Sequence, residues 1–305
     1  MSVSLRGGAP PSSSGRRREA RTGFLFVLPS TLVFLIFVLG PLLAVAVLSL
    51  TKYDVLSAPT FVGPQNYLTL LADPRLATAY RNTIVYVVAD VLIMNTVSLV
   101  LAVLLNRHMP PALRIILRSA YFFPSLVALV YVSVIWQGLL QDQVGVVNYY
   151  ITSLGGPQVP WLSSQEMAIP TVVLVNEWRN LGFGLLIFLA ALQDVPKELT
   201  ESAEIDGAGF WTTVRRIQIP LISPAIFLNI TLIVIGSFQL FESIIVLTAG
   251  GPGDASRSVV MYLTEQAFSG FRMGYASAIS VTLFLIILVA TAIQFRLRRN
   301  WVHYE

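Results

Sequence analysis

The chain has 305 residues, 55% of them hydrophobic and 12% charged, with a mean hydropathy of +0.72 and a formal net charge of +4. That balance excludes an ordinary soluble globular domain and specifies an integral membrane protein. The absence of cysteine excludes disulfides, thiolate metal sites and thiol nucleophiles, and two histidines, His108 and His303, leave no cluster able to hold a catalytic metal.

Residues 1–22 are rich in Ser, Gly, Pro and Arg, including Arg16, Arg17 and Arg18, and bury too little apolar surface to fold alone, so a flexible cytoplasmic tail is expected there. The apolar run from Phe24 to Leu50 is long enough to cross a bilayer and too long for the core of a secretory signal. Further spans are expected at about 82–105, 119–140, 168–193, 220–247 and 274–295, which makes an all-α, polytopic protein with six transmembrane helices and one membrane domain over 23–305. With the N-terminus inside, the inner segments hold fourteen basic residues, Arg107, Arg114, Lys197 and Arg215 among them, against five outside: Lys52, Arg75, Arg81, Arg257 and Arg272. This asymmetry puts both termini in the cytoplasm and accounts for the positive charge without a nucleic-acid partner.

Polar residues inside spans stand out because hydrocarbon penalises them. Span four carries Asn176, Glu177, Trp178, Arg179 and Asn180, then Gly182 and Gly184, which are expected to loosen the helix and admit a close neighbour. Glu177 and Arg179, two apart, point in different directions on a regular helix, either toward separate neighbours or with one on a solute path. Span five carries Gln239 and Glu242, three apart on one helical face between Phe238 and Phe241, suited to hydrogen-bonding hydroxyls while stacking on a sugar ring or, equally, to a bond with another span. Trp136 and Gln137 in span three are further candidates for a cavity wall, whereas Asp90 and Asn95 in span two read as helix–helix hydrogen-bonding groups.

Between spans four and five lies the polar passage 194–219. Pro196 and the early acids Glu198 and Glu201 open a short helix of about 196–206, and Gly207 stops it. Leu199, Ser202 and Ala203 share one smooth side, opposite Lys197, Glu201 and Glu204. A second piece places Phe210, Val214 and Ile217 on a common face, suited to the membrane surface or to neighbouring helices.

Within this passage Glu201, Ser202, Ala203, Asp206, Gly207 and Ala208, followed by Ile217, Ile219, Pro220 and Pro224, resemble the EAA motif of ATP-binding-cassette (ABC) importer permeases. Ser202 stands where that family usually has a second alanine, and Ile219 where leucine is usual. Phe238–Pro252 resembles the fifth span and outer loop of the larger permease in carbohydrate importers of the maltose and glycerol-phosphate type, with Glu242 and Ile245 where Asp and Tyr are favoured. The resemblance implies a type I ABC importer permease fold in a prokaryotic plasma (inner) membrane, and a cytoplasmic ATPase coupled through Glu201–Ala208. It also implies a second related permease, two ATPase subunits and an extracytoplasmic solute-binding protein; the span residues Trp136, Asn176, Glu177, Arg179, Gln239 and Glu242 are the candidates for the substrate path.

The chain's two lysines, Lys52 and Lys197, do not follow glycine, so no phosphate-cradling loop of the Gly-Lys-Ser/Thr type is present and no cofactor is expected in this chain, ATP being held by the partner. Two other classes are compatible with polar residues in spans: an ion-gradient-driven secondary transporter using Asp90, Glu177 and Glu242, and a polytopic membrane enzyme with Glu177 or Glu242 as base.

Overall fold

The structure, a computed structural model, describes residues 13–107, 109–300 and 302. Arg6, His108 and His303 fall outside them. Helix α1 (Ser13–Phe34) begins well inside the stretch expected to be a flexible tail and passes through a π-turn at Leu35–Leu39 into α2 (Gly40–Leu48). Pro41 lies just beyond that turn; its ring excludes the carbonyl four residues back, and a wider turn absorbs the conflict. Phe26 and Phe37 on this first span are exposed, as lipid-facing side chains would be. A two-stranded antiparallel ribbon, β1 (Thr51–Lys52) with β2 (Thr60–Phe61), pairs Thr51 with Phe61 and leads to α3 (Gln65–Leu71).

Helix α4 (Pro74–Leu105) starts eight residues before the expected span, because Asp73 caps it by accepting from the Arg75 and Leu76 amides at 3.0 and 3.2 Å and Pro74 occupies the first helical position. The third span is not one rod over 119–140. It is α5 (Pro111–Leu126) and α6 (Leu129–Leu139), meeting at 101° across an extended Val127–Ala128. Pro124 weakens the last turn of α5, and the carbonyl of Val127 is left outside any helical ladder.

After α7 (Val146–Ser153), α8 (Gln165–Gln193) crosses without interruption through Gly182 and Gly184. These glycines do not loosen the helix; they let neighbours approach. A Cβ at Gly182 would meet the Tyr121 carbonyl and, at 2.6 Å, the Phe122 Cα of α5, while one at Gly184 would meet Ser98 Oγ of α4 at 2.8 Å.

The polar passage folds as α9 (Lys197–Ile205), α10 (Phe210–Thr213), a π-turn at Val214–Gln218 before Pro220, and α11 (Ile219–Leu221). It turns through 70° into α12 (Ser223–Phe238). The fifth span also departs from expectation: α12 stops at Phe238, Gln239–Phe241 is irregular, and α13 (Glu242–Leu247) follows. Helices α14 (Val259–Thr264) and α15 (Met273–Leu297) complete the chain. Four continuous helices and two bent pairs are long and apolar enough to give the six expected spans.

Helices α4 and α8 form the centre. Near the 194–219 face, Ala102, Leu185, Phe188, Val214 and Ile222 pack together. Toward the opposite face Tyr86, Val132, Val172, Leu240 and Ile244 form a second cluster, and Leu76, Val234, Tyr262, Tyr275 and Ile279 seat α15. That opposite face is closed by polar clamps. Asp73 Oδ2 accepts from the Tyr262 and Tyr275 hydroxyls at 2.6 and 2.7 Å, tying the start of α4 to α14 and α15. Burial alone would push the Asp73 carboxyl up, and the hydrogen bonds it accepts bring it below its ordinary value. Arg75 forks onto Asp254 at 2.8 and 3.0 Å, Arg257 bonds Asp254 at 2.5 Å and pairs with Glu265, and Asn82 Nδ2 donates to the backbone carbonyls of Asp254 and Arg257. The loop after α13 is thereby pinned to α4.

The Arg75 fork holds the Asp254 carboxyl down to about 2 against partial burial, with Arg257 adding to the effect. A carboxyl lowered in the folded state contributes stability that is complete above about pH 4 and lost as pH falls toward 2. Asp254→Asn is therefore expected to lower stability at neutral pH by about 1–2 kcal/mol and to flatten the acid side of the stability profile, read by thermal unfolding across pH.

Candidate functional site

A cavity of about 760 Å³ opens where α4, α5, α8 and α12 meet the two helix breaks. Its wall takes Leu126 and Leu129 from either side of the first break and Gln239, Leu240, Phe241 and Glu242 from the second. Asp90 of α4, Asn176, Arg179 and Asn180 of α8, and Asn229 and Ser237 of α12 supply polar groups, set among Phe122, Phe183 and Phe241. Amide and carboxyl groups interleaved with aromatic faces make a surface able to hydrogen-bond a polyhydroxylated solute and stack against it.

The polar groups form a continuous relay. Ser237 Oγ donates to Asp90 Oδ2 at 2.5 Å, and Asn176 Nδ2 donates to the same oxygen at 3.3 Å. Asn180 Nδ2 donates to the Asn176 backbone carbonyl and Oδ1 at 2.9 and 3.0 Å. Arg179 Nη1 donates to Asn180 Oδ1 at 2.6 Å, and its Nε donates to the Val127 carbonyl at 3.2 Å. The guanidinium thus satisfies the carbonyl that the α5–α6 break leaves unpaired, which is why an arginine is tolerated at this depth. Asn229 Nδ2 donates to Asn95 Oδ1 at 3.2 Å, a second link between α12 and α4.

Glu177 is 8% exposed and does not line the cavity. Its carboxyl lies near the Asp90 carboxyl and the Met94 backbone, but neither of its oxygens, nor Asp90 Oδ1, is in a well-aligned hydrogen bond. Among the described residues neither acid forms an ion pair. As expected from their spacing, Glu177 and Arg179 point apart.

Of the six residues assigned to a path, the structure brings Asn176, Arg179, Gln239 and Glu242 to the cavity and leaves Glu177 and Trp136 off its wall. Trp136 instead packs against the edge of the core, where it meets the exposed Trp178 edge-to-face at 5.6 Å. Gln239 and Glu242 do reach one wall, but not as neighbours on one helical face: Gln239 caps α12 and Glu242 begins α13. Gln137 Nε2 donates to the Val246 carbonyl at 2.7 Å, joining α6 to α13. Asn180, Asn229 and Ser237 were not singled out as site residues. The spacing of Asn176 and Asn180, one helical turn apart, was the available signal.

Away from the cavity, α9 closes in a Schellman turn. Ala208 N–H donates to the Ala203 carbonyl at 2.9 Å, Gly207 N–H to Glu204 at 3.0 Å, and Gly207 takes φ +80°. Glu201, Ser202, Asp206 and Gly207 are exposed, and Ala203 and Ala208 half-buried. Only the following piece is anchored: Val214 is buried, and the Arg107 guanidinium sits 4.5 Å from the Phe210 ring.

Bent membrane spans around a polar central cavity, with an exposed helix on one face, define a membrane transport protein. The chain belongs to the family described as binding-protein-dependent transport system inner membrane component, which it matches over residues 94–303. It is 32% identical to a probable starch degradation products transport system permease protein of Thermoanaerobacterium thermosulfurigenes, over 89% of this chain and 91% of that one. It is 33% identical to an arabinooligosaccharides transport system permease protein of Bacillus subtilis (90% and 87%) and 30% identical to a trehalose/maltose transport system permease protein of Thermococcus litoralis (94% and 97%). Its fold matches a chain of a bacterial alginate ABC transporter, solved with an alginate pentasaccharide-bound periplasmic protein, with a TM-score of 0.83 at 23% identity over 93% of this chain and 96% of that one. The permease reading of the sequence therefore holds over both the secondary-transporter and the membrane-enzyme alternatives.

The α5–α8 contact that shapes the cavity depends on Gly182. Gly182→Val is expected to destabilise the protein by about 1–3 kcal/mol through overpacking, whereas Gly236→Ala, where an added Cβ meets nothing within 4 Å, leaves stability unchanged or slightly raised. Thermal unfolding of the two purified variants separates them.

Proposed function

We propose that this chain forms half of the translocation path for an oligosaccharide or related polyol, with a second related permease forming the other half. Two ATPase subunits on the 194–219 face would drive it and an extracytoplasmic binding protein would feed it. The observation that carries the reading is α9: a nine-residue helix closed by a Schellman turn and without a buried residue, while the segment after it is anchored in the bundle. A helix so placed is a lever with one free side. The smooth side made by Leu199, Ser202 and Ala203 suits a cleft on another protein, and the anchored Phe210–Ile222 segment passes its displacement to α12, which lines the cavity.

The arginine asymmetry supports placing this face and both termini in the cytoplasm. ATP binding and hydrolysis then belong to the partner, and this chain supplies path and lever rather than chemistry. The sugar assignment draws on the amide, carboxyl and aromatic lining of the cavity and on the saccharide-transport relatives. Asn176, Asn180, Gln239 and Glu242 are the groups suited to hydroxyl recognition.

Purification of the chain from its native membrane should bring down an ATP-hydrolysing subunit; a chain that purifies without one contradicts the reading. Gly207→Val forces a β-branched residue into a positive φ at the end of α9 where nothing crowds the side chain, so the strain falls on the turn alone. Uptake by the assembled complex is expected to fall about tenfold, the equivalent of about 1.4 kcal/mol of lever geometry, while ATPase association persists.

A further inference from the structure

The two helix breaks are structurally alike. Each sits partway through a span, each contributes to the wall of the same cavity, and neither contains glycine or proline in its irregular residues, Val127–Ala128 and Gln239–Phe241. The pieces beyond them, α6 and α13, pack on one another through the cluster of Val132, Leu140, Leu240 and Ile244 and are cross-linked by Gln137 Nε2 to the Val246 carbonyl. They therefore form one plate, joined to α5 and α12 by the two breaks and seated on Tyr86 of α4 and on Val172 and Val175 of α8.

One relay holds the first joint and the helix that leads into the second, whose own Leu240 carbonyl accepts from Ser258 Oγ at 2.7 Å. At one end Arg179 Nε bonds the Val127 carbonyl inside the first break; at the other, Ser237, two residues before Gln239, bonds Asp90. Between them Asn180 and Asn176 carry the chain of hydrogen bonds along α8 and across to α4. A break in hydrocarbon has few alternative partners, so the donor that satisfies it also fixes its angle.

We propose that Arg179 is a positioning residue that, with Ser237 at the far end of the relay, sets the angle of the α6–α13 plate over the cavity by pinning the first joint to α8 and the helix entering the second joint to α4. The inference rests on the permease reading only for what passes beneath the plate. The pinning itself is a property of this chain and is measurable with no nucleotide or solute present. Lysine in place of Arg179 keeps the charge but loses the planar fork that reaches Val127 and Asn180 together. Loss of either pin releases one of the two helices that carry the plate, and because α6 and α13 move together, both should shift relative to α4.

The absence of cysteine makes introduced pairs the only spin-labelled thiols on this chain when it is purified at full length with the subunits that accompany it, and the same preparation without introduced cysteines supplies the background. Val88 of α4, Leu174 of α8, Ile135 of α6 and Ile245 of α13 are exposed label sites. In Arg179→Lys and in Ser237→Ala, the Val88–Ile135 and Val88–Ile245 distances are both expected to shift or broaden, while Val88–Leu174 stays as in the unsubstituted chain. Movement of only the joint nearest the substitution, no movement at either, or loosening of Val88–Leu174 as well would overturn the inference. Ser237→Ala removes a single hydroxyl, so the test stands even where Arg179→Lys fails to assemble. Asn176→Asp, which sets an acceptor against Asp90 Oδ2, cuts the relay at its middle and should reproduce the same pair of shifts. Failure of the permease reading would show separately, as a complex without an ATPase, and leaves these distances interpretable.

Discussion

A backbone group that leaves its helical ladder inside hydrocarbon has no water to turn to. That constraint governs this protein more than the burial of apolar surface does, since lipid offers an apolar side chain nearly what a neighbouring helix offers. The spans at α1–α2, α4, α8 and α15 run as continuous helices. The third and fifth spans do not, and each break has recruited a side chain: Arg179 for the Val127 carbonyl, and Ser258 Oγ for the Leu240 carbonyl at 2.7 Å. The polar cavity and its relay follow from satisfying these breaks, and a cavity with polar walls at mid-span is what a transport path requires.

The same logic distributes stiffness. Near the 194–219 face, α4, α8 and the anchored Val214–Ile222 segment pack around Phe188 and Leu189. On the opposite face the Asp73, Asp254 and Arg257 clamps hold the ends of α4, α14 and α15 and the loop after α13. Between these two secured layers lie the breaks and the cavity, where motion of the kind proposed for α9 would be taken up. Deep glycine contacts, such as Gly182 against Tyr121 and Phe122, bring the backbones close enough for such motion to pass between helices without slack.

How much of this was legible in the sequence depended on whether a feature was local. The spans were, because each needs only a long apolar run, and so was α9, whose bounds Pro196 and Gly207 mark by their own backbone preferences. The start of α4 at Asp73-Pro74 carried a capping signal that the apolar boundary at 82 obscured. The breaks at Val127–Ala128 and Gln239–Phe241 were not legible: their residues are ordinary helix-compatible ones, and what stabilises the irregular backbone comes from Arg179 and Ser258, far away in sequence. Glu177 and Arg179 could be assigned opposite directions by helical geometry, but which of them met the cavity depended on where α5 bends. Trp136 was misplaced for the same reason, since that bend turns α6 so that the indole packs on Trp178.

The account as a whole turns on α9 being the surface through which another protein moves this one. A photo-reactive residue placed at Ser202, in the assembled complex isolated from its membrane, reads that contact at the level of one side chain. The account predicts a single covalent product with the ATP-hydrolysing subunit, diminished when Leu199 on the same side is replaced by a bulkier residue. Cross-linking to lipid alone, or to a protein on the opposite side of the membrane, would contradict it.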